Sequence, residues 1–176
     1  MGTVSQLYIE NLKIIRNGVD DFMKSSSEYD ADNIHVLDIA PQVHKGAKAF
    51  FKLAKISTLD IDSNSSATYI ADICNDNSNL IPSNYFDIII CTEVLEHTLN
   101  PFSAVNEIYR ILKPDGICFV TTPFNFRIHG PLPDCWRFTE HALRHLFKDF
   151  KDFSLIPVED AERFLMPIQY KTKVVK

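Results

Sequence analysis

Residues 86–91, Phe-Asp-Ile-Ile-Ile-Cys, are almost wholly apolar, and such a run reads as a central strand buried on both faces. A helix start follows at Asn100-Pro101, with asparagine as N-cap and proline at the first helical position. Val105, Ile108, Tyr109 and Leu112 form the buried stripe of that helix, and Pro114-Asp115-Gly116 ends it. Ile117 to Thr121 is then another apolar strand. A strand buried on both faces, a helix and a second strand, joined by short connections, predict a parallel sheet.

The rest of the chain extends this pattern. Tyr8, Leu12, Ile15, Val19 and Phe22 recur at helical spacing, so residues 1–24 predict an amphipathic helix, followed by a polar break over 25–33. Ile34 to Ile39 is a strand closed by Ala40-Pro41, and Ala47, Phe50, Phe51 and Ala54 give the next helix face. Ile56 to Ile61 and Ala67 to Ile73 read as the second and third strands. Only Ser63 to Ser66 lie between them, so the crossing helix is expected to be missing or the third strand very short. Thr139 caps a helix that turns Leu143, Leu146 and Phe147 inward, with Phe138 as a staple against Leu143. Residues 153–158 and 168–175 supply an antiparallel closing pair. The fold class is therefore α/β: a reduced, Rossmann-like doubly wound sheet of seven mostly parallel strands, whose ligand lies beyond the strands' carboxyl ends.

A chain of 176 residues suits one domain, with the N-terminal helix (1–24) against a core of 34–176. No apolar run approaches the roughly 20 residues a membrane span needs, and Met-Gly-Thr-Val-Ser lacks a basic and apolar signal pattern. Cys74, Cys91, Cys118 and Cys135 show no CxxC or metal-ligand spacing, which suits a reducing cytoplasm. A net charge of -5 without lysine or arginine runs argues against nucleic acid or a membrane as partner and for a small or neutral acceptor.

Two stretches carry a resemblance. Phe86-Asp-Ile-Ile-Ile-Cys-Thr-Glu-Val-Leu-Glu-His97 and Ile108-Tyr-Arg-Ile-Leu-Lys-Pro-Asp-Gly116 are similar to the "FDxVxxxxVLEH" and "RxLKPGG" segments of class I S-adenosylmethionine (SAM)-dependent methyltransferases, with Asp115 in place of the first glycine. The later segment Ile128-His-Gly130 to Pro133-Asp-Cys-Trp-Arg-Phe-Thr139 resembles a subgroup of type 11 methyltransferases with "IHG…PxDYWRFT", Cys135 standing where tyrosine is common. The resemblance spans Ile34 to Phe150 and implies SAM as cofactor, with sugars or other small polar compounds as acceptors.

It also assigns candidate site residues. The loop Asp38-Ile-Ala-Pro-Gln-Val-His-Lys-Gly46 occupies the place of the family's glycine-rich cofactor loop with its early glycines replaced, Ala40 and Pro41 among the substitutes. SAM has no pyrophosphate, so the glycines a dinucleotide demands are not required. Asp60 ends the second strand, 22 positions after Asp38, where an acid accepts hydrogen bonds from a ribose diol, with Ile61 beside it and Asp62 as runner-up. Asp72-Ile73 matches the adenine-binding position, and Cys91-Thr92 the place where backbone groups meet the methionine part. Glu93-Val-Leu-Glu-His97 has the E-x-x-E-H spacing by which ubiquinone-pathway O-methyltransferases and small-RNA 2′-O-methyltransferases hold a divalent cation. The same residues occur in metal-free relatives and a fourth ligand is unidentified, so no metal is assigned.

Near the sheet's end, His129 is the first candidate base and Asp134 the second, with Arg137 nearby. Trp136 and Phe138 read equally as anchors of the loop, and Asp134 with Arg137 as a structural pair. Methyl transfer to a small polar acceptor is the reading; a non-catalytic SAM-binding or interaction module is the alternative. A nucleotide-dependent oxidoreductase is disfavoured because no GxGxxG occurs. The N-terminal helix either closes over the site or joins two copies as a homodimer.

Overall fold

The computed structural model describes residues 5–41, 46–130, 133–158 and 166–176. Seven strands form one sheet: β1 (His35–Ile39), β2 (Lys55–Asp60), β3 (Tyr69–Ile70), β4 (Phe86–Thr92), β5 (Leu112–Pro123), β6 (Asp152–Val158) and β7 (Gln169–Val175). Their order is β3-β2-β1-β4-β5-β7-β6. The pairs from β3 to β5 are parallel, and β7 runs antiparallel to both β5 and β6. Among the described residues the α-helices are α1 (Gln6–Ser26), α2 (Ala47–Phe50), α3 (Pro101–Ile111) and α4 (Glu140–Leu146).

The strand residues alternate between two apolar clusters, as a sheet covered on both faces requires. Val36, Ile88, Ile90 and Phe119 pack with Phe22 and Met23 of α1 and Ala47 of α2. Leu37, Ile89, Cys91, Cys118 and Val120 pack with Ala104, Val105 and Ile108 of α3 and Leu143 of α4. Each fully buried isoleucine contributes about 1.5–3 kcal/mol of transfer free energy. The predicted caps are present: Asn100 Oδ1 accepts from Ser103 N, and Thr139 Oγ1 from Ala142 N.

The second helix differs from the sequence reading. The helix expected over Ala47 to Ala54 stops at Phe50, because the Asp30 carboxylate takes the N–H groups of Lys52, Leu53 and Ala54. Those donors would otherwise close helical turns. The third strand is very short, Tyr69–Ile70, as the brief connection before it leads one to expect, and residues between it and β2 form a turn in which Asp62 accepts from Asn64 N and Ser65 N. Thr58 and Thr68 bond reciprocally from backbone N–H to hydroxyl, extending the contact where the ladder ends. The closing strands pair antiparallel as expected, and β7, last in the chain, lies between β5 and β6.

Candidate functional site

The carboxyl ends of β1, β2, β4 and β5 gather most of the residues singled out by sequence. Asp38 is buried one residue before β1 ends, and its Oδ2 accepts from Ala47 N at 2.6 Å, capping α2 across the loop. Burial moves its carboxyl up to about 6, against the lowering effect of that N–H. Gly46 has a φ of 58°, and a Cβ there would lie 2.5 Å from Asp38 Oδ2. The indispensable glycine of this loop is thus its last residue. Ala40 holds a left-handed φ of 50° while its N–H donates to Leu59 O at 2.7 Å. Its backbone keeps a shape that glycine adopts without penalty, at a cost of about 1–2 kcal/mol. Pro41 is half-buried beside it, and residues 42–45 lie outside the described residues.

At the end of β2, Asp60 is buried and its Oδ1 accepts from Asp62 N at 2.9 Å. A carboxylate has about four lone-pair sites, so capacity remains for hydroxyl donors. Asp62 is exposed and spends Oδ1 on both nitrogens of Asn64, which favours Asp60 as the diol acceptor. Ile61 is 69% exposed at the lip, an apolar surface a ligand could cover. Asp72 Oδ1 accepts from Cys74 N, and Ile73 is buried in the core cluster. Cys91 is fully buried, and burial pushes its thiol well up, leaving only its backbone to serve a ligand; Thr92 beside it is half-buried.

The turn after β4 is the most constrained part of the site. Glu93 has a left-handed φ of 54°, its N–H donates to Thr121 O at 3.0 Å, and its Oε1 accepts from Gln169 Nε2 at 2.8 Å. Glu96, in the single turn Leu95–His97, is wholly buried with neither carboxylate oxygen hydrogen-bonded. Burial raises the carboxyl pKa of both glutamates, and Glu93 raises that of Glu96 further. His97 Nδ1 lies 2.9 Å from Pro133 O, and its Nε2 lies 3.7 Å from Glu96 Oε1.

The segment after β5 folds back onto this turn. Cys135 N and Trp136 N donate to Glu96 O, and Trp136 Nε1 donates to Thr98 O at 2.8 Å. Arg137 donates to both carboxylate oxygens of Asp134 and to the carbonyls of Phe126 and Arg127. That guanidinium holds the Asp134 carboxyl well below its ordinary range. Asp134 Oδ2 also accepts from His129 N at 2.8 Å and sits 3.0 Å from His129 Nδ1. So occupied, Asp134 is placed to position the loop rather than to take a proton. His129 is half-buried, and burial lowers its pKa.

Tertiary structure joins residues that the sequence did not connect. The rings of His97 and His129 lie 5.0 Å apart, and Glu96, His97 and His129 bring ligand atoms within 4.8 Å of one another. Phe126 bridges from His129 to Tyr8 of α1, at 5.1 Å and 5.6 Å, and the Arg127 guanidinium lies 4.2 Å over the Tyr8 ring. Gln169 reaches Glu93 from β7, and no local sequence signal marks that pairing.

The sequence from residue 19 to 120, more than half the chain, matches the family described as "Methyltransferase domain". The chain belongs to that family. It is 51% identical over 37 residues to the ubiquinone biosynthesis O-methyltransferase of Glaesserella parasuis, a match covering 21% of this chain and only 16% of that protein. Among solved structures, a SAM-dependent methyltransferase from Archaeoglobus fulgidus superposes with a TM-score of 0.69 at 13% identity, over 98% of this chain and 100% of the other. Phosphoethanolamine N-methyltransferase 2 of Haemonchus contortus, solved in complex with SAM, gives 0.68 at 16% identity, over 91% of this chain and 52% of that one. The fold is thus the mostly parallel, seven-stranded sheet of SAM-dependent methyltransferases.

Proposed function

We propose that the protein transfers a methyl group from SAM to a small polar acceptor, a sugar or another hydroxyl compound. The observation that carries this reading is the buried Asp60 at the end of β2, retaining acceptor capacity beside the exposed Ile61, in a chain of the methyltransferase-domain family. Asp60 would hold the ribose diol and Ile61 would cover the adenosine, with Asp72 and the backbone of Cys91 and Thr92 completing the pocket. The chain spans only a small part of the curated relatives it matches, so their acceptor does not transfer to it.

When bound, SAM supplies a methyl group already activated by its sulfonium. The protein's work is to orient the acceptor, exclude water and manage the hydroxyl proton. Trp136, Arg137 and Asp134 hold the acceptor segment against the turn after β4, and His129 within that segment would receive the proton. Tyr8 of α1 extends the wall through Phe126.

Isothermal titration with SAM and S-adenosylhomocysteine tests the reading. Micromolar binding that Asp60→Ala abolishes supports it and justifies an acceptor screen beginning with sugars. Absence of binding for both ligands rejects it in favour of an interaction module.

A further inference from the structure

We propose that Glu93 and Gln169 form an acceptor-reading pair: the free carboxylate oxygen of Glu93 receives a hydroxyl of the acceptor, and Gln169 positions that carboxylate. The acceptor class that follows is a neutral compound with several hydroxyl groups, a sugar or a cyclitol, of which one is methylated and another is held. The inference deepens the proposed function and rests on it for the place of the methyl donor.

The first observation is the backbone. Glu93 keeps a left-handed φ of 54°, a conformation that side chains other than glycine rarely adopt. Its N–H is held by both Thr121 O, at 3.0 Å, and Thr121 Oγ1, at 3.2 Å. Such strain persists where surrounding contacts enforce one direction, and it concentrates at functional sites. Glu93 directly follows Cys91 and Thr92, whose backbone is assigned to SAM, so a group bound to its carboxylate stands near the methyl donor.

The second observation is an orphaned carbonyl. Gln169 is 0% exposed at the start of β7, opposite Pro123 of β5 and Val158 of β6. Its Nε2 donates to Glu93 Oε1 at 2.8 Å, while its Oε1 is buried against Gly18 of α1 with no hydrogen-bond partner among the described residues. A buried carbonyl without a donor is costly, and native structures keep few of them. The reverse amide orientation would set Oε1 against the carboxylate, so the orphan follows from the bond to Glu93. An apolar side chain of similar size would fill the space without that cost, but it could not hold the carboxylate.

The third observation is what remains free. Glu93 is half-buried, and among the described residues its Oε2 takes no hydrogen bond and stays accessible, whereas both oxygens of Glu96 are enclosed. An ionised carboxylate can only accept, so it reads donors such as hydroxyl groups. With Glu96 near it, a carboxylate- or phosphate-bearing acceptor would meet like charge.

Methyl transfer from labelled SAM tests the pair, with neutral hexoses and inositols as acceptors beside their monodeoxy counterparts and uronic acids. The expected result is turnover of a neutral polyol, with kcat/KM about ten- to a hundredfold lower for one monodeoxy counterpart and for the uronic acid, as loss of a hydrogen bond to a charged group predicts. Glu93→Gln and Gln169→Leu should raise the acceptor KM by a similar factor and leave S-adenosylhomocysteine affinity unchanged. Gln169→Leu also removes the orphaned carbonyl, so its Tm should hold or rise; a merely structural Gln169 would lower Tm and leave KM alone. Glu93→Gln decides the matter if Gln169→Leu does not fold. An unchanged acceptor KM in the folded variants overturns the pair, as does a wild type that binds S-adenosylhomocysteine but methylates no polyol of the panel. A wild type that binds neither SAM nor S-adenosylhomocysteine rejects the methyl-transfer reading itself.

Discussion

At the residue scale, the loop after β1 shows how a glycine-poor sequence keeps a glycine-like shape. Ala40 occupies φ 50°, and only its small side chain keeps the penalty modest. Ala40→Gly is expected to be neutral or to stabilise by up to about 1 kcal/mol, since relief of strain competes with greater freedom in the unfolded chain. Ala40→Val should cost about 1–3 kcal/mol, because a β-branched side chain tolerates positive φ poorly. Urea denaturation of the three proteins gives the order directly.

Asp38 sets a pH dependence. Its folded pKa is raised to about 6 from 3.8, so the folded state binds its proton more tightly than the unfolded chain does. The stability this contributes is fully present below about pH 4 and is lost as pH rises through about 6. Asp38→Asn, which still accepts from Ala47 N, should flatten that part of the stability profile. Melting curves between pH 4 and 7 would show it, and an unchanged slope would refute the assignment to Asp38.

At the element scale, the seat of α1 depends on Gly18. A Cβ there would come within 2.4 Å of Gln169 Oε1 and 3.3 Å of Val158, and Gln169 is itself buried and bonded to Glu93. Gly18→Ala should therefore destabilise by about 1–3 kcal/mol through overpacking, although alanine favours helices by about 1 kcal/mol. A stabilised variant in thermal unfolding would mean that the helix–sheet contact yields easily. The elements themselves were largely visible in advance: the apolar run of β4, the Asn100-Pro101 start and the Thr139 cap all lie where periodicity and capping chemistry put them. The truncation of α2 was not, because it depends on Asp30 capturing N–H groups more than twenty residues away.

At the scale of the whole molecule, cofactor binding should be visible as stability. A ligand present at 100 times its Kd and bound only by the folded state adds about 2.7 kcal/mol. For a chain of this size that corresponds to a rise of roughly 5–10 °C in Tm. S-adenosylhomocysteine should produce this shift in the wild type and not in Asp60→Ala. A shift retained in the variant would move the ribose site away from Asp60.

The amino-acid sequence by itself determined the α/β class, the buried central strand, most element positions and the family, because hydrophobic periodicity, caps and contiguous motifs are local properties of the chain. Only the tertiary structure decided that β7 lies between β5 and β6, that Gln169 meets Glu93 across 76 positions, and that His129 joins Glu96 and His97. Those contacts arise from strand pairing and burial between distant segments, where partner choice depends on which surfaces the folded sheet leaves to be covered.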